Sequence, residues 1–474
     1  MPYFTELASF TERTRLERIL LDWAGSFDTY CLLNSNDFVT SWADGSSLAC
    51  GVRDEVCCSA ELLPAAGHTG LASDSSGPAG LPSPSLTALD TFRRKSGGRI
   101  YGFLSYDLKN ELEPLHSPAG QLSGFPLLYF FLPEYLLHIR PGILVLETEQ
   151  APDVLPFKIR ELLALLGQNL QESGSTPELN QPAPAVHTSA PAVLALPPEI
   201  QARESLDTYL HKAGEIKAQI QAGNIYELNF CQEFFINSLQ VRPEALYEQL
   251  NKASPAPFSL LFKFRNAYIL SSSMERFLTR TGTKLISQPI KGTIRRSTDP
   301  EQDKLLAESL RLNEKERAEN IMIVDLVRND LSKIALPGSV TVDELARIYS
   351  FAQVHQMIST ISAESTSDLS MTALLTALFP MGSMTGAPKL RAMQLIDQFE
   401  AVPRGVYSGS AGYIDSNGDF DFNVLIRTML YDGDRQYLSF HTGSALTSLA
   451  DLHEEYAECL LKAAGILKAL EHTI

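Results

Sequence analysis

The chain has 474 residues, 44% of them hydrophobic and 20% charged, a composition ordinary for a globular protein and enough for a large core or two to three domains. A formal net charge of −17, from 39 basic and 56 acidic residues with no basic run, argues against nucleic acid as a partner. Six scattered cysteines, Cys57 and Cys58 adjacent, give no disulfide framework and are expected to be reduced thiols, and nine histidines show no zinc spacing. The opening residues, with Glu6, Glu12, Arg13 and Arg15, do not read as a signal peptide, and a cytoplasmic location is expected.

In chain order, strand-like apolar runs come first: Tyr30 to Asn34, Ile100 to Asp107, Pro126 to Arg140 and Ile143 to Glu147, then a helix near Phe157 to Leu166. The most apolar stretch, Pro126 to Leu137, is broken by Pro133 and Glu134 and falls short of the ~20 residues of a membrane span, so no membrane partner is expected. Ala65 to Pro84 reads as a Gly, Ser and Pro-rich loop. Gln168 to Pro198 holds six of the 27 prolines and reads as a linker, dividing a β-rich N-terminal region (1–167) from a catalytic region (199–474).

Past the linker, a helix from Leu206 is predicted to stop at Gly223-Asn224 and lead into a strand, Ile225 to Ile236. Phe258 to Phe264 and Ala267 to Ser271 flank Arg265-Asn266 as a hairpin, and a long charged helix is predicted over Pro300 to Ile334. From Gly409 to Phe440, Asn417-Gly418 and Asp432-Gly433 punctuate an antiparallel meander. No repeat of fixed period suggests a solenoid or propeller.

Three places carry candidate chemistry. Lys291 stands immediately before a glycine, 16 residues after Glu275; an amine held beside a carboxylate in a desolvated site can act as a nucleophile while the carboxylate moves protons. Glu455, Glu458 and Lys462 form one stripe of the final helix and by spacing alone read as an exposed Glu-to-Lys pair. Thr385 to Lys389 begins an amphipathic helix with Thr385 or Gly386 as N-cap, whose free N–H groups suit a carboxylate.

Taken in order, PIKGT (289–293), RAENIMIVDLVRNDL (317–331), FPMGSMTGAPKLRAMQLI (379–396) and EEYAECLLK (454–462) resemble the chorismate-utilising enzymes, closely from Leu206 onward and more loosely before it. The lysine of PIKGT is similar to that of aminodeoxychorismate synthase component I; anthranilate synthases typically carry a small residue there. The resemblance implies an α+β fold with a large antiparallel β-sandwich flanked by helices, and Mg²⁺ held by Glu319, Glu455 and Glu458.

It further implies chorismate binding by Thr385, Gly386, Lys462, a glycine-rich turn at His441 to Ala445 including Gly443 and Ser444, and Arg427 if its side chain faces the cleft. Ser444 and Ala445 depart from the family's glycines. Tyr407 is either a core aromatic or a hydroxyl donor to substrate. Gln232 occupies the place of the water-activating lysine of isochorismate and salicylate synthases, which disfavours water addition. Gln356 stands where many relatives have histidine, and His355, one residue off, is expected on the other strand face.

The implied reaction is amination of chorismate at C4 toward 4-aminobenzoate and folate, with Lys291 as nucleophile, its pKa lowered by burial and the nearby ion, and Glu275 as acid. No glutaminase cysteine is identifiable, so ammonia would come from a separate glutamine amidotransferase subunit. The alternatives are anthranilate synthase component I and a non-catalytic tryptophan-binding homologue, the latter suggested by Leu32 to Ser35; the joint presence of Lys291, Glu275, Glu319, Glu455 and Glu458 argues against it.

Overall fold

The structure is a computed structural model and describes residues 3–38, 42, 45–59, 83–115, 117, 124–148, 155–170, 196–351 and 354–471. Strands such as Glu227–Ile236 and Ala267–Ser273 are buried along almost their whole length, which requires cover on both faces, and two antiparallel sheets supply it. Among the described residues the first sheet has 12 strands. It runs from Tyr3–Ser9 through Ile143–Thr148, Tyr135–Arg140, Ser46–Cys50 and Thr29–Asn34 to Phe258–Phe264, Ala267–Ser273, Thr428–Asp432, Tyr437–Leu446, Glu227–Ile236 and Gly386–Ala387. The second has 10, including Ile290–Arg295, Val354–Glu364, Lys284–Gln288, Arg276–Thr281, Phe420–Asn423, Ser410–Ile414, Ile100–Leu104 and Leu128–Leu132.

Strands from before and after the proline-rich stretch pair directly in both sheets, Asn34 opposite Ser259 and Gly102 opposite Gly412. The sheets face each other through an aromatic layer in which Phe103 meets Phe262 edge-on at 5.3 Å. Helices close the outer faces: Leu20, Trp23, Ile159 and Leu467 pack on the first sheet, Leu86, Leu374 and Leu375 on the second. The expected α+β sandwich flanked by helices is the observed architecture. Residues 65–82 and 171–195, most of the predicted loop and linker, lie outside the described residues.

The Arg265-Asn266 and Asn417-Gly418 hairpins form as read, with Arg265 at φ 56° and Gly418 at φ 91°. Gly223 follows the helix Leu206–Gln221 at φ 77°, the left-handed stop its position predicted. Three expectations are corrected. The long helix over Pro300 to Ile334 is two, Pro300–Leu312 and Glu314–Ser332, because Asn313 turns extended and its side chain caps Glu316 N–H. Residues 385–389 are no simple helix start: Gly386–Ala387 pairs as a strand with Glu227 and Leu228, and the helix begins only at Lys389 with Pro388 at its N-cap. The segment His441 to Ala445 is not a turn but the continuation of Tyr437–Leu446, paired residue by residue with Glu227–Ile236.

Among the described residues no helix is long and apolar enough to cross a membrane. All six cysteines are free thiols.

Candidate active site

Where the chain passes from one sheet to the other, side chains escape the regular alternation, and the site is built there. Glu275 lies in the crossing between Ala267–Ser273 of the first sheet and Arg276–Thr281 of the second, its backbone fixed by Val424 N–H to Glu275 C=O at 2.9 Å. Its carboxyl is 4% exposed and accepts the Ser383 hydroxyl at 2.6 Å. A cavity lined by Phe277, Leu278, Val327, Leu331, Leu378 and Met381 lies alongside. Burial among these groups pushes Glu275 up to about 7, against the pull of Ser383 and of the Lys291 and Lys462 ammoniums.

Lys291 belongs to Ile290–Arg295, whose pairing with Val354–Glu364 slips between Ile290 and Thr293; Gly292, at φ 80°, provides the irregularity. Released from the ladder, Lys291 reaches the opposite sheet, its Nζ 2.9 Å from Glu227 Oε1. Burial disfavours the ammonium, but Glu227, Glu319 and Glu458 outweigh it and hold its pKa above the ordinary lysine value. The expected lowering combined burial with a nearby ion; the protein's own groups alone shift this amine the other way, through contact with Glu227 and the charges of Glu319 and Glu458.

Two helices bring in the remaining carboxylates. Asn313 sets the start of Glu314–Ser332, which places Glu319 inward, and Asp451 caps Leu452–Lys462, which carries Glu455 and Glu458. Glu455 pairs with Lys315 at 2.8 Å and Glu458 with Lys462 at 2.7 Å, while Lys462 Nζ also donates to Gly443 C=O at 2.9 Å. The Lys315 ammonium, though depressed by burial, is favoured by its contact with Glu455 and, at longer range, by the charges of Glu319 and Glu458. Burial lifts Glu319 to about 7.

Glu319 Oε1 and Glu455 Oε2, on two of the expected ligands, are buried without a hydrogen-bond partner. Unpaired buried carboxylate oxygens are costly, and an oxygen-only set of this kind matches the hard ligands Mg²⁺ takes. Among the described residues no three acidic, histidine or cysteine side chains are already drawn together around a metal position. The donor chemistry therefore fits the ion, with lysines as the carboxylates' present partners.

The other expected residues divide. Gln356 borders Glu275: its amide donates to the Met274 sulfur and its Oε1 is unpartnered. His355 points away as expected, bonding Asp303 and Ser350. Arg427 is half-buried at the crossing before Thr428–Asp432 and donates to Lys462 C=O at 2.9 Å, which fastens the end of the helix Leu452–Lys462; its side chain is not free in a cleft. Tyr407 stacks on His441 at 5.1 Å with its hydroxyl 3.8 Å from Cys231 Sγ, the core aromatic of the two alternatives. The Thr385 hydroxyl donates to Gly382 C=O at 3.2 Å rather than standing free. Gly386 and Gly443 are there for close approach, since a Cβ would lie 2.2 Å from Glu227 O and 2.3 Å from Cys231 Sγ respectively.

Gln232 and Ser444 lie on the wrong face. Glu227, Asn229, Cys231 and Glu233 share one side of their strand, and Gln232 lies on the other, beside Tyr456, with Ser444 near Tyr209 and Cys459. The residue of this strand that reaches Lys291 is Glu227, which sequence reading missed; its signal is an acidic residue that opens a buried strand on the same face as Asn229, Cys231 and Glu233. Ser383 and Lys315 were missed as well.

The crossings and flanking helices of the sandwich gather three lysines, Lys291, Lys315 and Lys462, and five carboxylates. Residues 68–468 match the family described as chorismate binding enzyme, and the chain belongs to that family. Over 274 residues it is 42% identical to the aminodeoxychorismate synthase of Streptomyces griseus, a match covering 57% of this chain and 37% of that protein. Over 271 residues it is 38% identical to aminodeoxychorismate synthase component 1 of Escherichia coli K12, covering 57% and 59%. The chain thus spans less than two thirds of the length of these relatives. Its fold superposes on anthranilate synthase component I of Streptococcus pneumoniae TIGR4 with a TM-score of 0.69 and 23% identity, over 91% of this chain and 93% of that one.

Proposed function

We propose that the chain aminates chorismate at C4, giving 4-amino-4-deoxychorismate on the way to 4-aminobenzoate and folate, as the names of its relatives suggest. The observation that carries this reading is the buried amine of Lys291 set in one site with Glu275, a carboxyl poised near neutrality. In the proposed reaction Lys291 attacks C2 while Glu275 protonates the departing 4-hydroxyl; ammonia then adds at C4 and expels the lysine. Dividing one difficult displacement into two easier ones is what covalent catalysis achieves.

Glu319, Glu455 and Glu458 would hold Mg²⁺, which supplies charge neutralisation for the ring carboxylate. Ser383 orients the Glu275 carboxyl, and Lys462 stands ready as a cation toward the same anion. Ammonia is taken from a glutamine amidotransferase partner. The test is incubation of the purified chain with chorismate, Mg²⁺ and either ammonium or glutamine, with products identified by mass. Aminodeoxychorismate with ammonium and none with glutamine is expected; anthranilate, or no product, overturns the reading.

A further inference from the structure

Glu227 opens the strand Glu227–Ile236, and its carboxylate is 1% exposed. One oxygen holds Lys291 at 2.9 Å and the other is buried with no partner. A carboxylate kept only to anchor a lysine would be expected to satisfy both oxygens, because a lone buried oxygen is costly. Its backbone is held tightly: Glu227 pairs with Ala387, and neighbouring Gly386 leaves no room for a Cβ, which would sit 2.2 Å from Glu227 O. The carboxylate is thus fixed against the amine from one sheet while the slipped pairing around Gly292 aims the amine from the other.

We propose that Glu227 is the base that takes the proton from Lys291 and later returns it, a role that rests on the covalent reading above. One proton passes from the ammonium to the carboxylate. The freed lone pair forms the N–C2 bond, the ring double bonds shift, and the C4–O bond breaks, with Glu275 giving its proton so that water leaves. When ammonia bonds at C4 the double bonds shift back and the N–C2 pair returns to the lysine nitrogen. Glu227 then hands its proton to that amine, and Glu275 recovers one from the new C4 ammonium.

Glu227→Gln separates this from a structural role, since the amide oxygen still accepts a hydrogen bond from Lys291 but cannot take its proton. Single-turnover reactions with chorismate and Mg²⁺ but no ammonia, followed by intact-protein mass spectrometry, measure adduct formation directly. General base catalysis of this kind is worth about 100-fold or more, so the Gln variant should form the Lys291 adduct at least about 100-fold more slowly, with chorismate binding by calorimetry within about threefold of the parent. Glu227→Asp, which keeps a carboxylate one methylene shorter, should retain more of the rate than Gln and covers the case in which the Gln variant does not fold. An adduct rate in Glu227→Gln within about threefold of the parent, or an Asp variant slower than Gln, overturns the assignment to Glu227 alone. If the parent forms no adduct and Lys291→Ala turns over undiminished, the covalent reading itself falls, and this inference with it.

Discussion

At the scale of single residues, the buried Glu275 carboxyl makes the clearest claim. In the proposed reaction it must carry a proton to release the hydroxyl, so kcat/KM for chorismate should fall as pH rises through its pKa of about 7. The Ser383 hydroxyl, 2.6 Å away, favours the charged form and pulls that value down. Ser383→Ala removes the pull, so the alkaline limb of the pH profile should move upward; an unmoved or lowered limb argues against Glu275 as the acid. Lys291, Glu275 and the three glutamates were picked out through the motifs that resemble the chorismate-utilising enzymes, and the structure sets Lys291 within range of the charges of Glu319 and Glu458. Glu227 was not, because what marks it is the parity of a strand position, and assigning Gln232 instead, five residues on, reverses the face.

Secondary-structure elements set how firmly these groups are held. The helix Leu452–Lys462 is capped by Asp451, which accepts His453 N–H at 3.0 Å and Glu454 N–H at 3.1 Å, immediately before Glu455. Asp451→Ala should cost about 1 kcal/mol of stability and fray the turn that presents Glu455. The expected outcome is an Mg²⁺ midpoint raised roughly threefold to tenfold with kcat at saturating Mg²⁺ unchanged, since ~1 kcal/mol corresponds to about fivefold. A lowered kcat with an unmoved midpoint would place this helix elsewhere in the mechanism. Hairpins and helix stops were readable because turn chemistry is local, as at Arg265, Gly418 and Gly223. The break at Asn313 and the strand at His441 to Ala445 were not, since both depend on partners far away in sequence: a side-chain cap oriented by packing, and nine paired residues of Glu227–Ile236.

Across the whole molecule, the resemblance to the chorismate-utilising enzymes implied the class of fold and the apolar runs marked single strands, but neither encoded how the sheets close. The two sheets are stitched by strands from opposite ends of the chain, Thr29–Asn34 against Phe258–Phe264 and Ile100–Leu104 against Ser410–Ile414, and no local pattern encodes such a pairing. The same long-range assembly sets Lys315 of one helix against Glu455 of another at 2.8 Å, with Glu319 and Glu458 near enough for their charges to favour that ammonium. An ion bound there links two elements that the unfolded chain does not hold together, so it binds the native state alone and must stabilise it. At Mg²⁺ a hundredfold above its dissociation constant the gain is about 2.7 kcal/mol, which for a chain of this size should raise Tm by a few degrees. A net charge of −17 means that any salt relieves some self-repulsion, so the comparison is with KCl at equal ionic strength. Mg²⁺ should raise Tm beyond that control in the parent and not in Glu319→Gln; a shift matched by KCl, or one surviving the Gln variant, would remove Glu319 from the metal site.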